Sequence, residues 1–122
     1  MAVNLTGPFV CTKAVLPSMG AQGYGRIVNM SSLTGRVGIF GTGYYGTSKT
    51  GLVGLPKITA MENVSKDITC SLLAPSYVNT DMMNTYSANQ FKTLIASIPM
   101  VRFAEPKELA DAALFLTSDA SA

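Results

Sequence analysis

Tyr45 and Lys49 stand four positions apart. On a helix that spacing puts both side chains on one face, one turn from each other. An ammonium beside a phenol favours the phenolate, so the pair has the makings of a proton donor and acceptor. Ser32 lies thirteen residues before Tyr45, just past the apolar run Arg26-Ile27-Val28-Asn29-Met30. In an α/β fold, loops beyond strand ends gather around ligands. A hydroxyl, a phenol and an ammonium brought together are what proton exchange between an alcohol and a carbonyl requires. The pair alone also fits a surface lysine laying its apolar stem along a helix, so the elements that carry it matter.

Those elements follow from spacing. Leu5, Phe9, Val10, Ala14, Val15 and Met19 recur as on a largely buried helix over residues 4–19. Pro8 has no N–H for the Asn4 carbonyl, so either the helix kinks there or it begins at Thr6 or Gly7 with Pro8 in its first turn; the second is the simpler expectation. Gly20 to Gly25 reads as a turn, and residues 26–30 as a strand ending at Ser31-Ser32. A glycine-rich loop leads to a helix over 44–63, which Pro56 should kink. Gly46, Gly51 and Gly54 in that helix suit a closely packed partner. Ile68 to Leu73 reads as a second strand, 76–86 as a loop, 87–96 as a helix, and a last helix opens at Glu105-Pro106 and runs through Leu116. The order predicts an α/β layer with a parallel strand pair.

Other chemistries drop out. The chain has no His, and Cys11 and Cys70 are far apart, which leaves no Ser-His-Asp triad, Cys-His nucleophile or zinc cluster. No Ser stands three residues before a Lys, so the S-x-x-K spacing of a Ser-Lys hydrolase is missing. Gly41-Thr42-Gly43-Tyr44-Tyr45-Gly46 matches G-x-G-x-x-G, but the preceding strand ends near Met30, too early to feed a phosphate cradle. The 122 residues allow one domain, and a hydrophobic fraction of 48% with net charge +2 is globular, without the basic block that nucleic acid demands. No run spans a bilayer and no signal peptide is legible, so a cytoplasmic protein with reduced thiols is expected and the N-x-Ser/Thr triplets at Asn4, Asn29 and Asn63 are chance matches.

Taken in order, Asn4-Leu5-Thr6-Gly7, Gly25-Arg26-Ile27-Val28-Asn29-Met30-Ser31-Ser32, Tyr45-Gly46-Thr47-Ser48-Lys49, Ala74-Pro75-Ser76-Tyr77-Val78-Asn79-Thr80-Asp81-Met82 and Glu105-Pro106…Phe115-Leu116-Thr117-Ser118-Asp119 resemble the short-chain dehydrogenase/reductase family across nearly the whole chain. The resemblance implies a partial Rossmann-like fold, a doubly wound parallel sheet lacking the N-terminal dinucleotide-binding half and the last strand. Residues 1–122 would form one such partial domain. It implies interconversion of an alcohol and a carbonyl with NAD or NADP. Tyr45 would be the general acid/base. Lys49 would lower its pKa and hold the nicotinamide ribose, and Ser32 would orient the substrate carbonyl. The Asn4 main chain would hold a relay water, and Thr80 would bond the carboxamide. Pro75, Ser76 and Val78 would line the cofactor, Ser76 replacing the family's usual Gly. Ser32, Tyr45, Phe40, Tyr77 and Met82 would meet the substrate. The loops expected near the site also hold Ile39, Met83, Tyr86 and Phe91; with Phe40, Tyr77 and Met82 these favour an apolar carbonyl compound, about half of the seven being expected to pack the core instead.

The same resemblance carries a non-catalytic alternative. Helices matching 4–19 and 44–63 commonly form subunit interfaces in that family, so the chain is expected to form homo-oligomers through them. A truncated, inactive copy would then serve as an assembly module.

Overall fold

In the computed structural model, which describes residues 1–121, two parallel strands lie at the centre. β1 (Gly25–Met30) pairs with β2 (Ile68–Leu73) in register from Gly25 opposite Ile68 to Met30 opposite Leu73. α1 (Gly7–Gln22) leads into β1. The crossover to β2 is made by α2 (Gly43–Gly51) and α3 (Gly54–Asn63), and α4 (Ala88–Ala96) and α5 (Pro106–Thr117) follow. α3 packs on β2, while α1 and α5 pack on β1.

Alternation along the strands sorts the two sheet faces. Gly25, Asn29, Ile68 and Cys70 are buried on one face, where the Asn29 amide donates to the Cys70 sulfur at 3.5 Å. Burial pushes the Cys70 thiol up, partly offset by hydrogen bonds from Asn29 and Thr59 of α3. Cys11 is exposed, and both cysteines are free. On the other face Val28, Ser71 and Leu73 are half-buried and Met30 is exposed.

The register is pinned at both ends. Arg26, its side chain only 4% exposed, forms an ion pair with Asp67 at 3.1 Å and lies over the Tyr24 ring. The Gly25 N–H bonds the Asp67 carbonyl, so the starts of both strands are tied together. At the far end the Ser31 N–H donates to the Leu73 carbonyl at 2.7 Å and the Leu33 N–H to the Pro75 carbonyl at 2.8 Å. The strand ends therefore stay zipped beyond the sheet proper.

α1 opens at Gly7 with Pro8 in its first turn, as the simpler expectation had it, while other boundaries differ from those read in the sequence. Residues Ala2–Thr6 form a π-helical turn that runs into α1, in which Pro8 occupies the first turn. The Thr6 and Gly7 N–H groups reach back five residues, to the Met1 and Ala2 carbonyls. The helix also continues past Gly20 to Gln22, because Gly23, at φ 67°, takes the left-handed turn that ends it. Pro17 lies inside α1, where it removes the bond to the Lys13 carbonyl.

The single helix expected over 44–63 is two, α2 and α3, broken at Leu52-Val53. The helical run is interrupted just ahead of Pro56, which sits in the first turn of α3, where its missing N–H would have had no partner. Of the three glycines, Gly51 packs against Leu5 at 3.1 Å from where a Cβ would lie and Gly46 against Thr34 at 3.4 Å, while Gly54 meets nothing. The remaining elements fall within a residue or so of the sequence reading. No helix among the described residues is long and apolar enough to cross a membrane.

Candidate active site

The site is built where β1 ends. Ser32, 9% exposed, leaves the strand in an extended conformation and caps the short 3-10 turn Leu33–Gly35, its Oγ accepting from the Thr34 N–H at 3.2 Å. The Ser32 hydroxyl proton has only a long contact to Thr34 Oγ1, at 3.4 Å. A closer acceptor would capture it. That turn lies against α2: a Cβ on Gly35 would stand 2.7 Å from the Lys49 carbonyl oxygen, so only glycine allows the approach. Ser32 is thereby held at the flank of the helix that carries Tyr45 and Lys49.

Within α2 the expected helical pairing is present. Lys49 Nζ lies 5.8 Å from the Tyr45 ring centroid. Lys49 is half-buried, and its ammonium donates to the Met30 carbonyl at 2.8 Å. Tyr45 is 44% exposed, its ring open to whatever approaches. Asn4 comes close from the π-helical turn before α1. Its amide donates to Ser48 Oγ at 3.4 Å, and Ser48 Oγ donates to the Tyr45 carbonyl at 2.7 Å. Pro8, four residues on, has no N–H to offer the Asn4 carbonyl.

Pro75 reaches the same place through its bond to Leu33. Beyond it, Tyr77 and Val78 pair with Ala104, and Tyr77 leans on Phe103, 5.9 Å between ring centroids. Ser76 and Thr80 are exposed, and among the described residues the Thr80 hydroxyl makes no hydrogen bond. Phe40 and Met82, expected to meet substrate, project into solvent at 105% and 75% exposure. Of the other apolar residues expected in loops there, Met83 is buried, Phe91 lies in α4 instead and packs edge-on against Phe103, and Ile39 and Tyr86 are exposed.

Asn4 and Lys49 line one groove, between α1 and β1. Pro75, Ser76 and Tyr77 line another cleft, of 380 Å³, against α5. Ser32, Tyr45, Thr80, Phe40 and Met82 line neither. Hydrogen bonds thus tie Lys49, the Ser32 turn and Pro75 to the end of β1 and Asn4 to α2, Tyr45 stands one turn from Lys49 on the same helix, and Phe40 and Met82 are left unpacked. Among the described residues no cluster of His, Cys, Asp and Glu is suited to a metal.

Sequence spacing passes over Ser31, Gly35 and Ser48, which fasten these elements together. The Ser31-Ser32 doublet at a strand end and the serine inside Tyr-x-x-Ser-Lys are the available signals.

A family model described as enoyl-(acyl carrier protein) reductase matches residues 1–122. Acetoacetyl-CoA reductase of Cupriavidus necator is 38% identical over 97% of this chain and 48% of its own length. 3-Oxoacyl-(acyl-carrier-protein) reductase of Synechocystis is 38% identical over 98% of this chain and 47% of its own length. The crystal structure of the TT0495 protein from Thermus thermophilus superposes with a TM-score of 0.92 at 31% identity, covering 98% of this chain and 52% of that one. The chain therefore spans about half the length of the relatives it matches, and over that half it shares the fold of the TT0495 structure. On the family match and these identities, the chain belongs to the short-chain dehydrogenase/reductase family.

Proposed function

We propose that this chain carries the proton-transfer side of a nicotinamide-dependent oxidoreductase that interconverts an alcohol and a carbonyl. The carbonyl class is a 3-oxoacyl thioester, a reading taken from the names of the relatives, acetoacetyl-CoA and 3-oxoacyl-(acyl-carrier-protein) reductase. The observation that carries it is the fastening of Lys49 to the end of β1, with Tyr45 one turn away on α2 and Ser32 at its flank.

Each side chain has a role its surroundings permit. The Tyr45 phenol, exposed at the site, gives its proton to the substrate oxygen in reduction and takes it back in oxidation. The Ser32 hydroxyl, whose oxygen is fixed by the Thr34 N–H, offers its proton to the same oxygen and steadies the charge that develops there. Asn4 braces α2 through Ser48.

The residues also fit a nicotinamide cofactor. An ammonium has three donors. Met30 takes one from Lys49, which leaves two for a ribose diol. The unengaged Thr80 hydroxyl suits a carboxamide, and Pro75, Ser76 and Val78 run alongside. The cofactor, NAD or NADP, supplies the hydride when bound.

The test is direct. Calorimetry of the chain with NADH and NADPH should give binding, and Tyr45→Phe should keep that binding. Reductase turnover of an acetoacetyl thioester should fall by roughly 10²- to 10⁴-fold in that variant, the usual contribution of a positioned general acid. Binding of neither cofactor at millimolar concentration, or a fully active Tyr45→Phe, overturns the proposal.

A second reading, an assembly module acting through α1 and α2–α3, is favoured by the apolar side chains those helices expose: Phe9, Val10, Tyr44, Ile58 and Met61. It is compatible with the first, since a subunit interface can frame an active site.

A further inference from the structure

The break between α2 and α3 leaves a backbone carbonyl at the site in need of a donor. In an unbroken helix the Lys49 carbonyl would accept from the Val53 N–H. Here the Val53 N–H turns to the Thr50 carbonyl at 3.0 Å. The donor to Lys49 is instead a side chain from another element: Ser31 Oγ, at 2.9 Å. Ser31 is 3% exposed, and buried helix-end carbonyls are costly to leave unmade.

This bond does not stand alone. The neighbouring residue of β1, Met30, accepts from the Lys49 ammonium at 2.8 Å. Lys49 is therefore held at both its main chain and its side-chain tip by two consecutive residues at the strand end. Gly35 closes the arrangement. A Cβ there would stand 2.7 Å from the Lys49 carbonyl oxygen and 2.8 Å from Ser31 Oγ, so the hydroxyl, the carbonyl and the turn after Ser32 meet with no room between them.

Resting on the oxidoreductase reading above, we propose that Ser31 is a positioning residue. Its hydroxyl fixes the main chain of Lys49, and with it the register of α2 against the Ser32 turn, so that ammonium and phenol are presented together with the Ser32 hydroxyl. Ser31 itself touches neither substrate nor cofactor. The helix break exists at the point where this side chain supplies the missing donor, and the same bond serves both purposes.

The test compares Ser31→Ala, Ser31→Cys and Ser31→Thr in the full chain. Ser31→Ala removes the donor. Ser31→Cys keeps the volume but donates weakly, which guards against a variant that fails simply by opening a cavity. Ser31→Thr restores the hydroxyl. Misplacing a catalytic constellation by about 1 Å costs on the order of 100-fold. The expected result is a kcat lowered roughly 10- to 100-fold in Ser31→Ala with the KM for the carbonyl substrate changed less than about threefold, an intermediate loss in Ser31→Cys, and recovery in Ser31→Thr.

A second readout needs no activity. Amide hydrogen exchange over residues 49–53 should quicken about tenfold or more in Ser31→Ala while α5 keeps its protection, as expected for loss of a local fastening rather than of the fold. Unchanged exchange at 49–53 in Ser31→Ala overturns the inference, as does unchanged kcat in an active enzyme. A wild-type chain without turnover overturns the oxidoreductase reading instead, and the exchange experiment still decides whether Ser31 fastens Lys49.

Discussion

Glu108 is the residue whose ionisation the fold alters most plainly. Its two carboxylate oxygens accept from the Arg102 guanidinium at 2.7 Å each, and one of them also accepts from the Glu105 N–H at 2.8 Å. The bidentate pairing and the backbone donor hold its pKa down from 4.5 to about 2. A carboxyl whose folded pKa lies below its unfolded one stabilises the fold fully above the unfolded value and loses that contribution as pH falls through the folded one. The contribution of Glu108 is therefore present above about pH 4.5 and drains away towards pH 2. Glu108→Gln should lower the melting temperature at pH 7 only slightly, as for a solvent-screened pair, and the gap between variant and parent should narrow towards pH 2 and close below it. A gap that stays constant from pH 7 to pH 2 contradicts this pairing. The sequence gives little hint of it, because an Arg and a Glu six apart across a helix start have no periodic signature. Tyr45 and Lys49 are legible for the opposite reason: spacing on a helix encodes their proximity. Ser31 is not, since its partner is a main-chain carbonyl freed by a helix break that the sequence does not announce.

At the scale of elements, local rules set most boundaries and tertiary contacts move the others. Both strands are runs of β-branched and apolar residues, β1 opening at Gly25 and β2 halted before Pro75. α4 starts at a reciprocal cap: Ser87 Oγ accepts from the Gln90 N–H at 3.4 Å and Gln90 Oε1 from the Ser87 N–H at 2.9 Å. α4 buries none of its residues completely, so the cap carries an unusual share of its stability. Ser87→Ala should cost about 1 kcal/mol, the typical value for losing an N-cap, and should fray α4 before any other helix. Thermal denaturation gives the cost and amide exchange over residues 88–92 gives the location; equal exchange in both proteins refutes the assignment. The region 44–63, expected as one helix and found as two, has the contrary lesson. Pro56 does disturb the helical run, but a proline is tolerated by restarting the helix as well as by bending it. Restarting wins here because Ser31 satisfies a carbonyl that the break exposes.

The whole molecule has more surface than its mass requires. Its accessible area is 7968 Å², whereas a folded monomer of 12.8 kDa has about 6,300 Å² by the usual scaling. The excess, about 1,700 Å², is roughly twice what one partner contributes to an ordinary protein–protein interface. Exposed apolar side chains contribute to that surface. α1 is apolar without a preferred side, the pattern of a helix covered all round, yet Phe9, Val10 and Val15 are 40–54% exposed. Tyr44, Ile58 and Met61 on α2 and α3 are exposed as well. Patches of this kind on a soluble protein mark surfaces meant to be covered. The chain should therefore self-associate through α1 and α2–α3 at tens of micromolar, giving at least a dimer mass in size-exclusion chromatography with light scattering. A charge placed on each helix, Phe9→Glu with Met61→Glu, should shift the population towards monomer while leaving far-ultraviolet circular dichroism unchanged, because neither side chain belongs to the buried core. A parent chain that is strictly monomeric at these concentrations removes the support for assembly through these helices. A dimer that withstands both substitutions places the interface elsewhere, for which the exposed Leu114 and Phe115 of α5 are candidates.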